Sequence, residues 1–247
     1  MGRKYRNPPI IEVICEFRFD PSSPWDLAIP GLVYQELQNE FPKRRQAKQF
    51  EVGLRSRAEG VEQEVRTADR MQFLREDEKA LIQVDQNLLA VNHLKPYPTW
   101  KGFLPLIRRG FEMYCEVAKP TGIQRIGLRY INRIEFPGPG VELEDYFSFY
   151  PFLGPKLPRD HGAFIVGVDI PYEDSRDSLR LQSVNVNSEQ PETIAILLDL
   201  DYSLQQPNGV ELETVFQWVD NAHARVEEVF EGCITDKLRE LFEEVKS

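Results

Sequence analysis

Between Ile123 and Phe136 the chain reads I-Q-R-I-G-L-R-Y-I-N-R-I-E-F, and this stretch constrains the fold more than any other. Side chains leave a strand on opposite sides in turn. Ile126, Leu128, Tyr130, Asn132 and Ile134 therefore share one face. Arg125, Gly127, Arg129, Ile131, Arg133 and Glu135 share the other. The alternation predicts a long strand in a sheet with one packed face and one wetter face. The mixed-sign face reads first as solvated cross-strand pairs, because exposed ion pairs contribute little to stability. A binding site is the sharper alternative.

The flanking sequence supplies the rest of an α+β chain. After Pro8 and Pro9, a strand places Ile11, Val13, Cys15, Phe17 and Phe19 on one face and Glu12, Glu16 and Arg18 on the other. S-S-P-W-D then signals a helix start, and Pro30 suits a first helical turn. Leu32, Val33, Leu37 and Phe41 give that helix its apolar face over about 31–41, and Pro42 stops it. Strands are expected at 49–56, 62–68, 71–75, 79–85 and 88–94, with a turn at R-E-D-E-K. Helical spacing returns with Phe103, Ile107, Phe111, Tyr114, Cys115 and Ala118, so Pro105 marks a helix start or a kink.

Beyond the central strand, Pro137-Gly-Pro-Gly is a rigid break, and a short helix is expected in E-L-E-D-Y-F-S-F-Y. Three strands follow at 163–172, 178–187 and 193–204. In the first, Phe164, Val166, Val168 and Ile170 share a face. In the second, Leu179 and Leu181 fall out of phase with Val184 and Val186, which predicts a β-bulge near Gln182–Ser183. The segment from Glu211 to Lys246 predicts one long helix or two joined near Gly232.

The order strand, helix, strands, helix thus occurs twice. It predicts a pseudo-duplicated α+β fold, with halves at 1–120 and 121–247 and with helices packed on one face of an antiparallel sheet. The order resembles the duplicated fold of the TATA-binding protein in topology only, and fold alone does not give function. If strands 11–19 and 123–136 are neighbours at the junction, Glu12, Glu16 and Arg18 face Arg125, Arg129 and Arg133.

Composition narrows the classes. With 247 residues, 41% hydrophobic and 11% aromatic, the chain can build a real core and is not a disordered segment. No apolar run has the length of a membrane span, and the first residues do not read as a signal peptide. Cys15, Cys115 and Cys233 are odd in number and lie in apolar patterns. They read as buried thiols in a reducing compartment, the cytoplasm. The net charge of -10 is uneven. Residues 1–137 carry 22 Lys+Arg against 18 Asp+Glu, whereas residues 138–247 carry 8 against 22. An acidic second half repels nucleic acid and suits a basic protein partner.

Three stretches resemble a known family: Tyr5-x-Asn-Pro-Pro-Ile-x-Glu12, Gly127-Leu-Arg-Tyr-Ile-Asn-Arg-Ile134 and Ile234-Thr-Asp-Lys-Leu-Arg-Glu-Leu-Phe242. Together they look like a sporadically distributed family of uncharacterised prokaryotic proteins of about 250 residues. The resemblance implies a mobile gene of the defence or toxin–antitoxin kind. It implies no catalytic residues.

Tests for chemistry give few candidates. His93, His161 and His223 are far apart, and no Cys-x-x-Cys or His-x-x-x-His pattern, nucleophile elbow or phosphate loop occurs, so no cofactor is expected. Asp199 and Asp201 lie on one strand face, and Asp169 can join them from a neighbouring strand. Such carboxylates can hold a divalent cation, although a solvated polar face is the simpler reading. Lys43, Arg44, Arg45 and Lys48 form a basic cluster after the first helix that can meet phosphates. A DNA saddle also needs aromatic wedges, and the open face is expected to carry Glu12, Glu16, Asp169, Asp199 and Asp201 instead.

The leading expectation is a cytoplasmic, non-catalytic protein-interaction module. It offers a broad sheet face, or an acidic final helix bearing Glu227, Glu228, Glu231, Glu240, Glu243 and Glu244, to a basic partner. A nucleic-acid module on residues 43–48 is the first alternative, and a metal-dependent enzyme on Asp169, Asp199 and Asp201 the second. The apolar final helix leaves a homodimer open.

Overall fold

The computed structural model of the chain describes residues 3–57, 60–158 and 162–245, the side chains of 48–69 excepted. The elements run β1 (Ile10–Phe19), α1 (Ile29–Leu37), β2 (Lys43–Arg57), β3 (Gly60–Leu74), β4 (Ala80–Asp85), β5 (Leu88–Leu94) and α2 (Trp100–Ala118). They continue with β6 (Ile123–Pro137), α3 (Leu143–Tyr146), β7 (Ile165–Tyr172), β8 (Asp177–Val186), β9 (Thr193–Leu204), α4 (Val215–Cys233) and α5 (Asp236–Leu241). The nine strands form one antiparallel sheet, in the order β2-β3-β4-β5-β1-β6-β9-β8-β7. The protein is thus α+β. No helix among the described residues is long and apolar enough to cross a membrane.

Alternation in β1 and β6 builds the core as the sequence predicts. Val13, Cys15, Phe17 and Phe19 are buried, as are Ile126, Leu128 and Tyr130. Register sets Cys15 opposite Val91 and Leu128, and Leu128 opposite Tyr202, so one apolar row crosses β5, β1, β6 and β9. Aromatic side chains of three helices meet aromatics of the strands. From α2, Phe111 lies 4.9 Å from Phe17, and Tyr114 stacks on Phe19 at 4.7 Å. From α4, Trp218 meets Tyr202 at 5.5 Å, and from α1, Tyr34 meets Phe73 at 5.3 Å. Each buried aromatic of this kind contributes about 1.5–3 kcal/mol.

At Gly110 the helix α2 lies close against β4 and β5. A Cβ there would stand 3.0 Å from Val91 Cγ2 and 3.4 Å from Ile82 Cδ1. Gly110→Ala is therefore expected to push α2 off β4 and β5 and to lower stability by about 1–3 kcal/mol in chemical denaturation, despite alanine's better helix propensity. A stabilised variant would show that the helix can retreat freely.

Several expectations are corrected. The first helix ends at Leu37 rather than near 41, because the chain turns there: the Glu40 and Phe41 amides both donate to the Leu37 carbonyl. The expected strands 62–68 and 71–75 are one strand, β3, in unbroken register with β2 from Lys43↔Leu74 to Arg57↔Gly60. No bulge interrupts β8. Its register with β7 and β9 is continuous through Gln182 and Ser183. Ser183 takes the buried place that an apolar residue would hold, so the residue type changes phase while the backbone does not. Val168 is exposed rather than packed, because β7 is an edge strand. Of the two forms expected for the final segment, the structure has two helices, divided at Ile234–Thr235, where the Thr235 hydroxyl accepts from the Leu238 amide.

Candidate functional site

Alternation that buries one set of side chains leaves the other set on a polar sheet face. There, Glu12, Glu16 and Arg18 of β1 and Arg125 and Arg129 of β6 line a shallow concavity of about 710 Å³. Every described lining residue belongs to a strand, and the strands involved are β2, β3, β4, β5, β1, β6 and β9. Six inter-strand spacings make the floor about 29 Å wide.

Two networks fix this floor. The first is a row of amides across five strands. Arg45 Nε donates to Gln72 Oε1 at 2.7 Å, and Gln72 Nε2 donates to Gln83 Oε1 at 2.9 Å. Gln83 Nε2 then donates to Asn92 Oδ1 at 2.9 Å, and Asn92 Nδ2 donates to Glu12 Oε1 at 2.7 Å. Gln83 and Asn92 are buried, so each buried polar group is satisfied within the row, as it must be.

The second network is charged. Glu16 meets Arg18 at 2.7 Å, Arg70 at 3.4 Å and Arg125 at 3.6 Å. Burial pushes the Glu16 carboxyl up, but the three guanidiniums outweigh it and hold its pKa below the usual carboxylate value. Arg125 also donates to Asp201 at 3.2 Å. For Asp201 burial wins over Arg125 and Arg129, and its pKa is raised. Arg129 forks onto Asp199 at 2.8 and 2.5 Å. Gly127, opposite Glu16 in the ladder, makes room for the cluster: a Cβ there would stand 2.9 Å from Arg125 Nη1.

The sequence-derived candidates fall into place as follows. Asp169, Asp199 and Asp201 are each matched with an arginine, Asp169 with Arg180 at 2.9 Å. The register Asp169↔Arg180↔Asp201↔Arg129 alternates in sign across β7, β8, β9 and β6. Among the described residues, no group of three or more His, Cys, Asp or Glu is placed to hold a metal ion. Arg125 does face Glu16 of β1, as expected. Arg129 and Arg133, however, take Asp199 of β9 and Glu135 of β6. The reason is register: Ile14, not an acid, lies opposite Arg129 on β1.

The basic cluster lies on the edge strand β2. Lys43 donates to the Glu76 carbonyl and to Glu78, Arg44 lies over the Tyr34 ring, and Arg45 begins the amide row. The Lys48 side chain and His161 lie outside the described residues. Burial pushes the Cys115 and Cys233 thiols up to about 12 and Cys15 well above its ordinary value, so all three are protonated at neutral pH.

Most of the acids expected to form a surface on the final helix are engaged within the chain, and Glu243 and Glu244 lie beyond the end of α5. Glu231 accepts from the Tyr5 hydroxyl at 2.6 Å and pairs with Arg239 at 2.9 Å. Glu244 pairs with Arg3 at 3.0 Å, Glu243 accepts from Asn7 at 2.9 Å, and Glu228 pairs with Arg225 at 3.1 Å. Glu227 lies 3.4 Å from His223, and Glu240 is exposed. The Tyr5 ring also meets Phe242 edge-on at 5.6 Å, and the Asn7 amide donates to the Phe242 carbonyl. The first and last motifs of the chain are therefore halves of one clasp.

One cluster escapes the sequence reading. The Tyr130 hydroxyl lies 3.0 Å from both the Tyr97 hydroxyl and His223 Nδ1. Trp100 stacks on the His223 ring at 4.0 Å and donates Nε1 to Asp220 at 3.1 Å. Burial lowers the His223 pKa to about 4, against the pull of Asp220. Tyr97 and Trp100 sit in the aperiodic stretch K-P-Y-P-T-W, so no spacing signal links them to a histidine on α4.

An open antiparallel sheet with a polar, charge-paired floor defines an α+β class that serves many unrelated functions. The chain matches no known protein-family model and none of the curated proteins with which it was compared.

Proposed function

We propose that the protein is a non-catalytic interaction module that holds a protein partner on the polar face of its sheet. The observation that carries this reading is the floor itself, seven strands wide, with guanidiniums and carboxylates fixed in place by their pairs. About 29 Å is the scale of a protein interface rather than of a small-ligand cleft. Preorganised polar groups reduce the ordering cost of association. Both signs are present, which suits a partner surface of mixed charge. The basic partner expected for the final helix loses support, because most of those acids are engaged inside the chain. A nucleic-acid reading gains little. Glu12, Glu16 and Asp201 on the floor would face phosphates, and no aromatic ring is among the described residues that line it.

The finer architecture belongs to the same reading. Outward from the β1–β6 seam, the order is β5, β4, β3, β2 on one side and β9, β8, β7 on the other. This supports two pseudo-repeats, 1–120 and 121–247, that meet at the seam as in the TATA-binding protein. Contacts of α1, α2 and α4 with aromatics of the strands support helices on a single face, which leaves the other for the partner. Free thiols fit a cytoplasmic setting, and the family resemblance fits a defence or toxin-neutralising context.

Pull-down from the native host at low salt tests the reading, with nuclease-treated and untreated lysates side by side. The wild type is expected to retain a stoichiometric protein after nuclease. Arg45→Ala with Arg129→Ala is expected to weaken its binding by about tenfold or more while the variant still unfolds cooperatively at the temperature of the assay. Material lost on nuclease treatment, or a partner indifferent to both substitutions, would overturn the proposal.

A further inference from the structure

The two edges of the sheet differ in chemistry. β2 opens with Lys43, Arg44 and Arg45, charges that guard an edge against strand addition. β7 reads I-V-G-V-D-I-P-Y and has no Lys or Arg. Its one carboxylate, Asp169, is matched by Arg180 on β8 at 2.9 Å. Ile165 is 75% exposed and Val168 45%. Among the described residues no strand covers the outer side of β7. Branched apolar residues along an open edge make a template for another strand.

We propose that this edge is a homodimer interface, in which two copies of β7 pair antiparallel across a two-fold axis at Val168. The sequence of the strand argues for a second copy as the occupant. Pairing about Val168 sets Val168 against its own copy, Val166 against Ile170 and Gly167 against Asp169. Alternation puts the Val166, Val168 and Ile170 pairs on one face, where branched side chains pack well across strands. Each Asp169 lies opposite a glycine instead of the partner's Asp169, so no like charges stand directly opposite. Pro171 falls at the end of the paired segment, where its missing N–H costs the ladder least. An isologous contact closes at two copies, whereas joining β7 to the β2 of another copy would propagate without end. The two nine-stranded sheets then continue as one, which extends the polar floor across the axis.

Light scattering on the eluting full-length protein, over a concentration series, tests the interface. The expected mass is twice the 28.7 kDa of one chain, falling to one chain on dilution. Val168→Lys, at an already exposed position, is expected to give one chain throughout with an unchanged circular dichroism spectrum. Mild oxidation provides the second readout. Val168→Cys is expected to cross-link to itself, and Val166→Cys to cross-link to Ile170→Cys in a mixture but not to itself. A wild type of single-chain mass at every concentration overturns the interface. So does a dimer that survives Val168→Lys, or a Val168→Cys variant that fails to cross-link. None of these outcomes bears on the polar-face reading, whose test is partner retention.

Discussion

Replacing Asp177 with alanine is expected to lower the free energy of unfolding by about 3–5 kcal/mol, the range for removing one member of a buried ion pair. Asp177 begins β8 and is 1% exposed. Its carboxylate accepts from Trp218 Nε1 at 3.0 Å, from the Tyr202 hydroxyl at 3.2 Å and from Arg176 Nη2 at 2.6 Å. One side chain therefore joins β8, β9 and α4. Alanine leaves the indole and phenol donors buried without their acceptor, and each such loss carries a desolvation penalty. Asp177→Asn keeps one acceptor oxygen and is expected to lose less. Asp169→Ala removes a pair whose members are both more than half exposed and is expected to cost well under about 1 kcal/mol. Urea denaturation of the three variants checks the order. Equal losses at Asp177 and Asp169 would show that burial does not set the energy of these pairs.

Acidification from pH 6.5 to 4 is expected to cost on the order of 2–3 kcal/mol through His223 alone. Burial holds the folded-state pKa at about 4, while an unfolded histidine titrates near about 6.5. Because the folded value is the lower one, the unfolded chain takes the proton first. The contribution of the neutral ring is complete above the unfolded value, declines as pH falls through the interval and is gone below the folded value. The ring's neighbours favour the proton, but burial outweighs them. His223 is stacked on Trp100 and hydrogen-bonded to the Tyr130 hydroxyl, and Glu227 at 3.4 Å is itself raised in pKa by burial. Asp220 pulls the pKa up but does not prevail. Unfolding free energies of the wild type and His223→Gln across this interval isolate the effect. The difference between the two curves is expected to shrink as pH falls, and a constant difference would exclude His223 as its source. Glu16 acts in a lower window. Its depressed folded pKa makes its contribution complete above the unfolded carboxylate value and lost as pH falls through the folded one.

Much of the framework was legible because it depends on neighbours in sequence. Alternation in Ile11–Phe19, Ile123–Phe136 and Thr193–Leu204 predicts which side chains are buried, and most of them are. The α2 pattern was likewise readable from spacing, whereas the last segment left one helix or two open until the structure divided it. The failures share a cause. Ser183 occupies a buried place that its polarity gives no reason to expect, because covering by neighbouring elements, not residue type, buries it. Val168 looks like a core residue and is exposed, because being at an edge is a property of strand order.

The polar floor divides in the same way. Local alternation by itself determined that Glu12, Glu16, Arg18, Arg125 and Arg129 face away from the core. Tertiary structure alone decided which charges meet, since Arg129 finds Asp199 70 residues away through the order β1-β6-β9. It also decided that Glu231 and Glu244 close a clasp on Tyr5 and Arg3 instead of forming a free acidic surface, and that Tyr97, Tyr130 and His223 share hydrogen bonds. Side-chain direction follows from the dihedral preferences of each residue and its neighbours, whereas partnership follows from which strands lie side by side, a choice made by burial of the whole apolar surface.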